Sequence, residues 1–80
     1  MDERRIKLIW DFRGPDSKRT AEHHERHLTE YIMREKLEMG ITGSKTYSEM
    51  HSIAYLVVDR TDMPATRDAL RPHRGEIYED

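Results

Sequence analysis

The chain has 80 residues, of which 35% are apolar and 38% are charged, and this predicts a single small domain (1–80) with a lean core. It contains no cysteine, which excludes disulfides, thiolate metal sites and cysteine nucleophiles, and favours a cytoplasmic location. The net charge is −2 and no apolar run approaches ~18 residues, so we expect neither nucleic-acid binding nor a membrane span.

The first two elements are predicted from periodicity and from the residues that bound them. Apolar residues alternate over 6–13, which indicates a strand, and the turn residues 14–16 end it. A helix follows from a cap at Asp16 or Ser17 and runs to Glu38. Gly40 stands where a helix commonly ends on a left-handed residue.

The helix carries three of the five histidines, and its periodicity separates them. At about 100° per residue, His24 lies near the middle of the inner face, His27 at its margin, and His23 toward solvent. The predicted inner face comprises Ala21, His24, Leu28, Tyr31, Ile32 and Met39.

The second half of the chain predicts two strands, a short helix and a last strand. Residues 41–50 read as a polar edge strand, and residues 51–52 as a short turn or bulge. Residues 53–58 are apolar at both parities, which is typical of a strand covered on both faces. Asp62 and Pro64 open a helix that Pro72 ends, and Ile77-Tyr78 mark the last strand.

This order predicts a ferredoxin-like α+β fold, β-α-β-β-α-β, with a four-stranded antiparallel sheet. The first and third strands lie in its centre, and both helices cover one face. If the side of the first strand that carries Trp10 meets the helices, the other face carries Ile9 and one parity of the third strand. An exposed apolar patch of this kind usually marks an interface, so we expect a homodimer packed sheet to sheet.

Four stretches of the sequence resemble those of a small uncharacterised bacterial family. They are Ile9-Trp10-Asp11-Phe12-Arg13-Gly14-Pro15, His23-His24-Glu25-Arg26-His27-Leu28, Ser48-Glu49-Met50-His51 and Arg71-Pro72-His73-Arg74-Gly75. The whole-chain pattern is similar to the dimeric α+β barrel group of ferredoxin-like proteins. That group includes antibiotic-biosynthesis-type monooxygenases and muconolactone isomerases. The resemblance implies a homodimer of this fold, and no catalytic residue of the named enzymes is carried over.

The histidines of the first helix are candidate metal ligands. His27 follows His23 by four residues and His24 by three, and both spacings bring imidazoles together on a helix. We expect His24 and His27 as ligands, with His51 or His73 completing a site for zinc, nickel or copper. The alternative is that His24 is a core residue while His23 and His27 are solvated.

The segment 71–75 is a candidate anion site. Arg71, His73 and Arg74 lie on a turn stiffened by proline and could converge on a carboxylate or phosphate. The alternative is that these cations stabilise the C-terminus of the second helix.

A third group of candidates lies on the predicted sheet. Asp11 could pair with a histidine and act as an acid or base, with His24 or His51 as the general base. Trp10 and Tyr47 would wall a pocket for a small organic molecule, which is a role typical of aromatic side chains. The alternative is that Trp10 belongs to the core and that Asp11 pairs with an arginine.

These patterns favour a homodimer with a histidine-lined pocket that binds a small ligand or a transition metal. One alternative is a cofactor-independent enzyme that resembles a monooxygenase or isomerase. Another is a dimerisation or interaction module without catalysis.

Overall fold

The computed structural model of the chain describes residues 5–37 and 40–78. Its elements follow the predicted order. They are β1 (Arg5–Arg13), α1 (Ser17–Glu35), β2 (Ile41–Ser48), β3 (His51–Asp59), α2 (Met63–Leu70) and β4 (Arg74–Tyr78). Among the described residues, neither helix is long and apolar enough to cross a membrane.

The four strands form one antiparallel sheet in the order β2-β3-β1-β4. The predicted α+β class and the central position of β1 and β3 are therefore confirmed. These two strands are the most apolar, and central strands are the ones that both neighbours shield from water. The arrangement is compatible with a ferredoxin-like fold.

Helix α1 ends earlier than predicted. Lys36 takes the left-handed conformation, with φ 54°, and its N–H donates to the carbonyl of Ile32. This closes the helix after Glu35, so Lys36, and not Gly40, is the left-handed residue that ends α1. The predicted end at Glu38 and the inner-face Met39 lie outside the described residues.

The chain reverses direction before the predicted turn. The turn lies at Glu49-Met50, and His51 and Ser52 already belong to β3, where Ser52 pairs with Phe12. Gly14, with φ 112°, donates its N–H to the carbonyl of Met50 over 2.8 Å. This bond joins the end of β1 to the hairpin. Strand β3 is longer than the predicted 53–58, by two residues at its start and one at its end.

The core lies between the sheet and the helices. Leu8 and Trp10 of β1 face α1, which meets the condition set in the sequence analysis, together with one parity of β3. The buried members of this cluster are Leu8, Trp10, Ala21, Leu28, Ala54, Leu56 and Val58. The Nε1–H of Trp10 donates to the carbonyl of Leu70 over 3.0 Å, which ties the end of α2 to the centre of the sheet.

The opposite face of the sheet, which we call the open face, carries the other parity of each strand. Ile9, Ile53 and Val57 lie there, yet each is at most 1% exposed within a single chain. The ring of Tyr55 lies across the backbone of Gly43, and Lys7 Nζ sits 4.4 Å from the centre of that ring. Long side chains thus cover the apolar stripe, and the expected exposed apolar patch was wrong for these three residues.

Candidate functional site

The open face brings together an acid, a base and a cation from three adjacent strands. Asp11 lies on β1, which runs between β3 and β4. Its strand partner is Ile53, so His51 is a diagonal neighbour on β3, and Arg74, opposite Ile9, is a diagonal neighbour on β4. Diagonal neighbours on one face lie within reach of long side chains. The register therefore places both groups beside one carboxylate.

The Asp11 carboxylate holds both neighbours by hydrogen bonds. His51 Nε2 lies 2.8 Å from Oδ1, while Arg74 donates from Nε to Oδ2 over 3.0 Å and from Nη2 to Oδ1 over 3.3 Å. The hydrogen bonds from Arg74, followed by those from His51, lower the pKa of Asp11 from 3.8 to about 2, against the opposing effect of burial. Asp11 is therefore an anion at neutral pH. The two predicted partners of Asp11, a histidine and an arginine, are both present.

The charge on Asp11 fixes the tautomer of neutral His51. A carboxylate only accepts hydrogen bonds, so His51 Nε2 carries the hydrogen and Nδ1 carries the lone pair. Among residues 5–37 and 40–78, Nδ1 has no hydrogen-bond partner. The side chains of His51 and Asp11 are 20% and 19% exposed, so the dyad is sheltered but reachable from the open face. This arrangement suits His51 to accept a proton.

Tyr47 is the aromatic wall beside this dyad. The centre of its exposed ring lies 5.2 Å from the centre of the His51 ring and 5.3 Å from Lys45 Nζ. Trp10, the other predicted wall, is a core residue on the covered face and cannot line the same pocket. The prediction of Trp10 as a ligand-binding residue is therefore not supported, because successive residues of a strand face opposite sides of the sheet.

The three cations of segment 71–75 separate instead of converging. Arg74 reaches Asp11 on the open face, and its Nη1 lies 3.7 Å from Glu76 Oε2. The ring of His73 contacts Phe12 on the covered side, and its Nδ1 accepts the N–H of Asp11 over 2.8 Å. Arg71 is exposed and ends α2 in the left-handed conformation. The structure gives the predicted anion site no support.

His24 is the partly buried histidine of α1. Its ring centre lies 5.0 Å from that of Trp10 and 5.4 Å from that of Phe12. Nε2 is buried and has no hydrogen-bond partner, and burial, followed by the charges of His27, His73 and His23, lowers the pKa of His24. This contact favours the alternative interpretation of His24 as a core residue and separates it from Asp11.

The predicted metal ligands do not form one site. His51 is bound to Asp11, His73 to the backbone N–H of Asp11, and His24 is enclosed by aromatic rings. His27 contacts His23, with 3.2 Å between their Nε2 atoms. Within the part of the chain that the structure describes, no group of three His, Asp or Glu side chains could hold a metal ion.

An open groove of about 360 Å³ lies at the edge of the sheet beside α2. It is lined mainly by apolar side chains, including Ile6, Leu8, Met63 and Ile77, with Arg74 at its rim. The groove does not include Asp11 or His51. The candidate site is therefore a surface of the open face and not a closed cavity of one chain.

Sequence reasoning missed Glu76, and it left His23 out of the expected ligand set although it noted the four-residue spacing of His23 and His27. Glu76 stands two residues after Arg74, so alternation in β4 would have placed both on one face. His23 was left out because it faces solvent, yet the structure brings it to His27 at the spacing that the sequence shows.

No family model matches the chain, and neither a curated protein nor a solved structure matches it. The proposals that follow therefore rest on the contacts, charges and exposure of the described residues.

Proposed function

We propose that this protein binds a small organic molecule on the open face of its sheet, at a site formed by Asp11, His51, Tyr47 and Arg74. The observation that carries the proposal is the 2.8 Å hydrogen bond between Asp11 and His51. It leaves His51 Nδ1 as a directed acceptor beside the exposed ring of Tyr47. A small number of polar groups that point to one place beside an aromatic side chain is typical of small-molecule sites.

The charges of the cluster favour a neutral ligand that donates a proton. Arg74 is the cation bound to Asp11, but Asp11 and Glu76 both lie against its guanidinium and offset its charge. An anionic ligand would therefore gain little from Arg74 and would be repelled by two carboxylates. A phenol or an enol would instead donate its O–H to His51 Nδ1 and place its apolar part on the ring of Tyr47.

We further propose that two chains pair through their open faces as a ferredoxin-like dimer of the dimeric α+β barrel type. The face carries no helix, and its outer layer includes Tyr47, Tyr55, Tyr78 and Arg74. Tyrosine and arginine are enriched in interfaces, so this polar and aromatic layer supports pairing. The apolar residues beneath it are covered within a single chain and do not provide that support. Pairing would enclose the site. The cytoplasmic location remains a prediction.

Ligand binding is tested by NMR with a set of phenols, enols and aromatic carboxylates. We expect the neutral phenols and enols to shift the signals of His51 and Tyr47, and the carboxylates to do so less. His51→Gln should abolish the shifts at Tyr47, because glutamine cannot supply an imidazole lone pair at the same place. His23→Gln, on the exposed face of α1, is the matched control. Equal shifts in wild type and His51→Gln would contradict the proposal.

Dimerisation is tested separately by sedimentation at micromolar concentration. We expect a species of twice the 9.6 kDa chain mass. Tyr47→Asp should weaken it, because it places a charge in the proposed interface, while Met33→Asp on exposed α1 should not. If only a folded 9.6 kDa species is found, the dimer proposal is wrong. Ligand binding to the single chain is then decided by the NMR experiment.

A second candidate function is proton abstraction by the same dyad. It is favoured by the ionised Asp11, which orients His51 through the 2.8 Å hydrogen bond, as carboxylates do in acid–base sites. Any carbonyl compound found to bind is incubated in D₂O, and exchange of the hydrogen next to the carbonyl is followed by NMR. Exchange faster with wild type than with His51→Gln would support catalysis. Equal exchange rates with the two proteins would rule out catalysis by His51 and would leave ligand binding as the only function of the site.

A further inference from the structure

Two histidines of α1 form a second cluster, away from the open face. His23 and His27 lie one helical turn apart on the exposed side of the helix, and their Nε2 atoms are 3.2 Å from each other. Their ring planes are inclined by 80°. We propose that this pair is a two-imidazole site for a divalent transition metal, with Cu²⁺ bound most tightly. This inference is independent of the function proposed for Asp11 and His51.

The spacing of the two nitrogen atoms fits one metal ion between them. Imidazole nitrogen binds such metals at about 2.0–2.1 Å, so two ligands stand about 2.9 Å apart at 90° and about 3.3 Å apart at the tetrahedral angle. The observed 3.2 Å lies between these values. The helix backbone fixes the two Cα positions, and only small side-chain adjustments are needed for both lone pairs to meet.

The surroundings of the two rings also suit metal binding. His27 Nδ1 lies 3.7 Å from Glu30 Oε1, so a small movement would let Nδ1–H donate to the carboxylate and leave the lone pair on Nε2. A carboxylate near the second nitrogen is a common accompaniment of a metal-bound histidine. Without metal, the two Nε2 atoms share one hydrogen bond, in which either nitrogen can be the donor. Metal binding requires the donor ring to move that hydrogen to its Nδ1, which solvent can mediate because both rings are exposed.

The pair differs from the set predicted from the sequence, because His24 cannot join it. His24 Nε2 is buried against aromatic rings on the other side of the helix. With no third side chain in reach among the described residues, water would fill the other coordination positions. Nitrogen ligands rank Cu²⁺ above Ni²⁺ and Zn²⁺, and a partly hydrated two-nitrogen site imposes no geometry that would reverse this order.

The test is titration of the metal-free full chain with CuCl₂, NiCl₂ and ZnCl₂ near pH 7.5. Binding is followed by calorimetry, and Cu²⁺ is also followed by electron paramagnetic resonance. We expect one Cu²⁺ per chain and a spectrum of two equatorial nitrogens. His23→Ala and His27→Ala should each lower the affinity for Cu²⁺ by about two orders of magnitude, because each leaves only one imidazole to bind the metal. Both residues are exposed, and circular dichroism verifies that the variants stay folded.

His73→Ala is the matched control, since it removes an exposed imidazole outside the pair. It should leave the Cu²⁺ affinity unchanged, whereas the double variant His23→Ala/His27→Ala should bind no more tightly than either single variant. The proposal is overturned if wild type shows no saturable uptake, or if His23→Ala and His73→Ala bind Cu²⁺ equally well. A one-nitrogen spectrum for wild type would overturn it as well.

Discussion

Replacing Asp11 by asparagine should destabilise the protein at neutral pH and leave its shape unchanged. The pKa of Asp11 falls from 3.8 to about 2 on folding, which corresponds to roughly 2 kcal/mol in favour of the ionised form. Arg74 is only half-buried, so solvent screens part of this interaction. We therefore expect Asp11→Asn to lower the free energy of unfolding by about 1 kcal/mol at pH 7.

The pH dependence of this loss distinguishes the ion pair from a packing effect. Because the pKa is lower in the folded state, the stabilisation is fully present above about pH 4 and is lost as the pH falls towards 2. Urea unfolding followed by circular dichroism at pH 7, 4.5 and 2 should show the gap between wild type and variant closing. Asp68→Asn, an exposed carboxylate on α2, should have no comparable effect. A gap that is absent at pH 7, or unchanged at pH 2, would refute this account of Asp11.

Three further predictions concern the framework of the site. Lys36→Gly should raise the free energy of unfolding by about 1 kcal/mol in urea titrations, because glycine adopts the left-handed φ of 54° without a steric cost. The control Lys18→Gly, inside α1, should lower the free energy of unfolding. Trp10→Phe should cost about 1–2 kcal/mol by loss of the bond to Leu70, with faster hydrogen exchange in α2. Burial lowers the pKa of His24, so the folded wild type should lose stability as the pH falls below about 6.5. His24→Phe removes this imidazole, and the variant should lose less stability than wild type between thermal melts at pH 7.5 and pH 5.

The elements and their order follow from local patterns in the sequence. Alternation in β1 put Leu8 and Trp10 on one face and Ile9 on the other, and the apolar run of β3 is consistent with its central place in the sheet. The helical period assigned His24 to the inner face and His23 to solvent. Each of these inferences needs only a period along one segment, because side-chain direction repeats with the backbone. The end of α1 escaped prediction because a lysine took the conformation usually reserved for glycine.

The candidate site depends on relations between segments that no local pattern contains. Parity placed Asp11 on the open face, but only the register of β1 against β3 and β4 selected His51 and Arg74 as its partners. A shift of one residue would have turned those side chains to the other face. The cover over the apolar stripe likewise depends on Tyr55 lying across a glycine of the neighbouring strand. Sequence alone determined the elements and their inward faces, whereas the tertiary structure decided which charged groups meet, because long-range pairing fixes their distances.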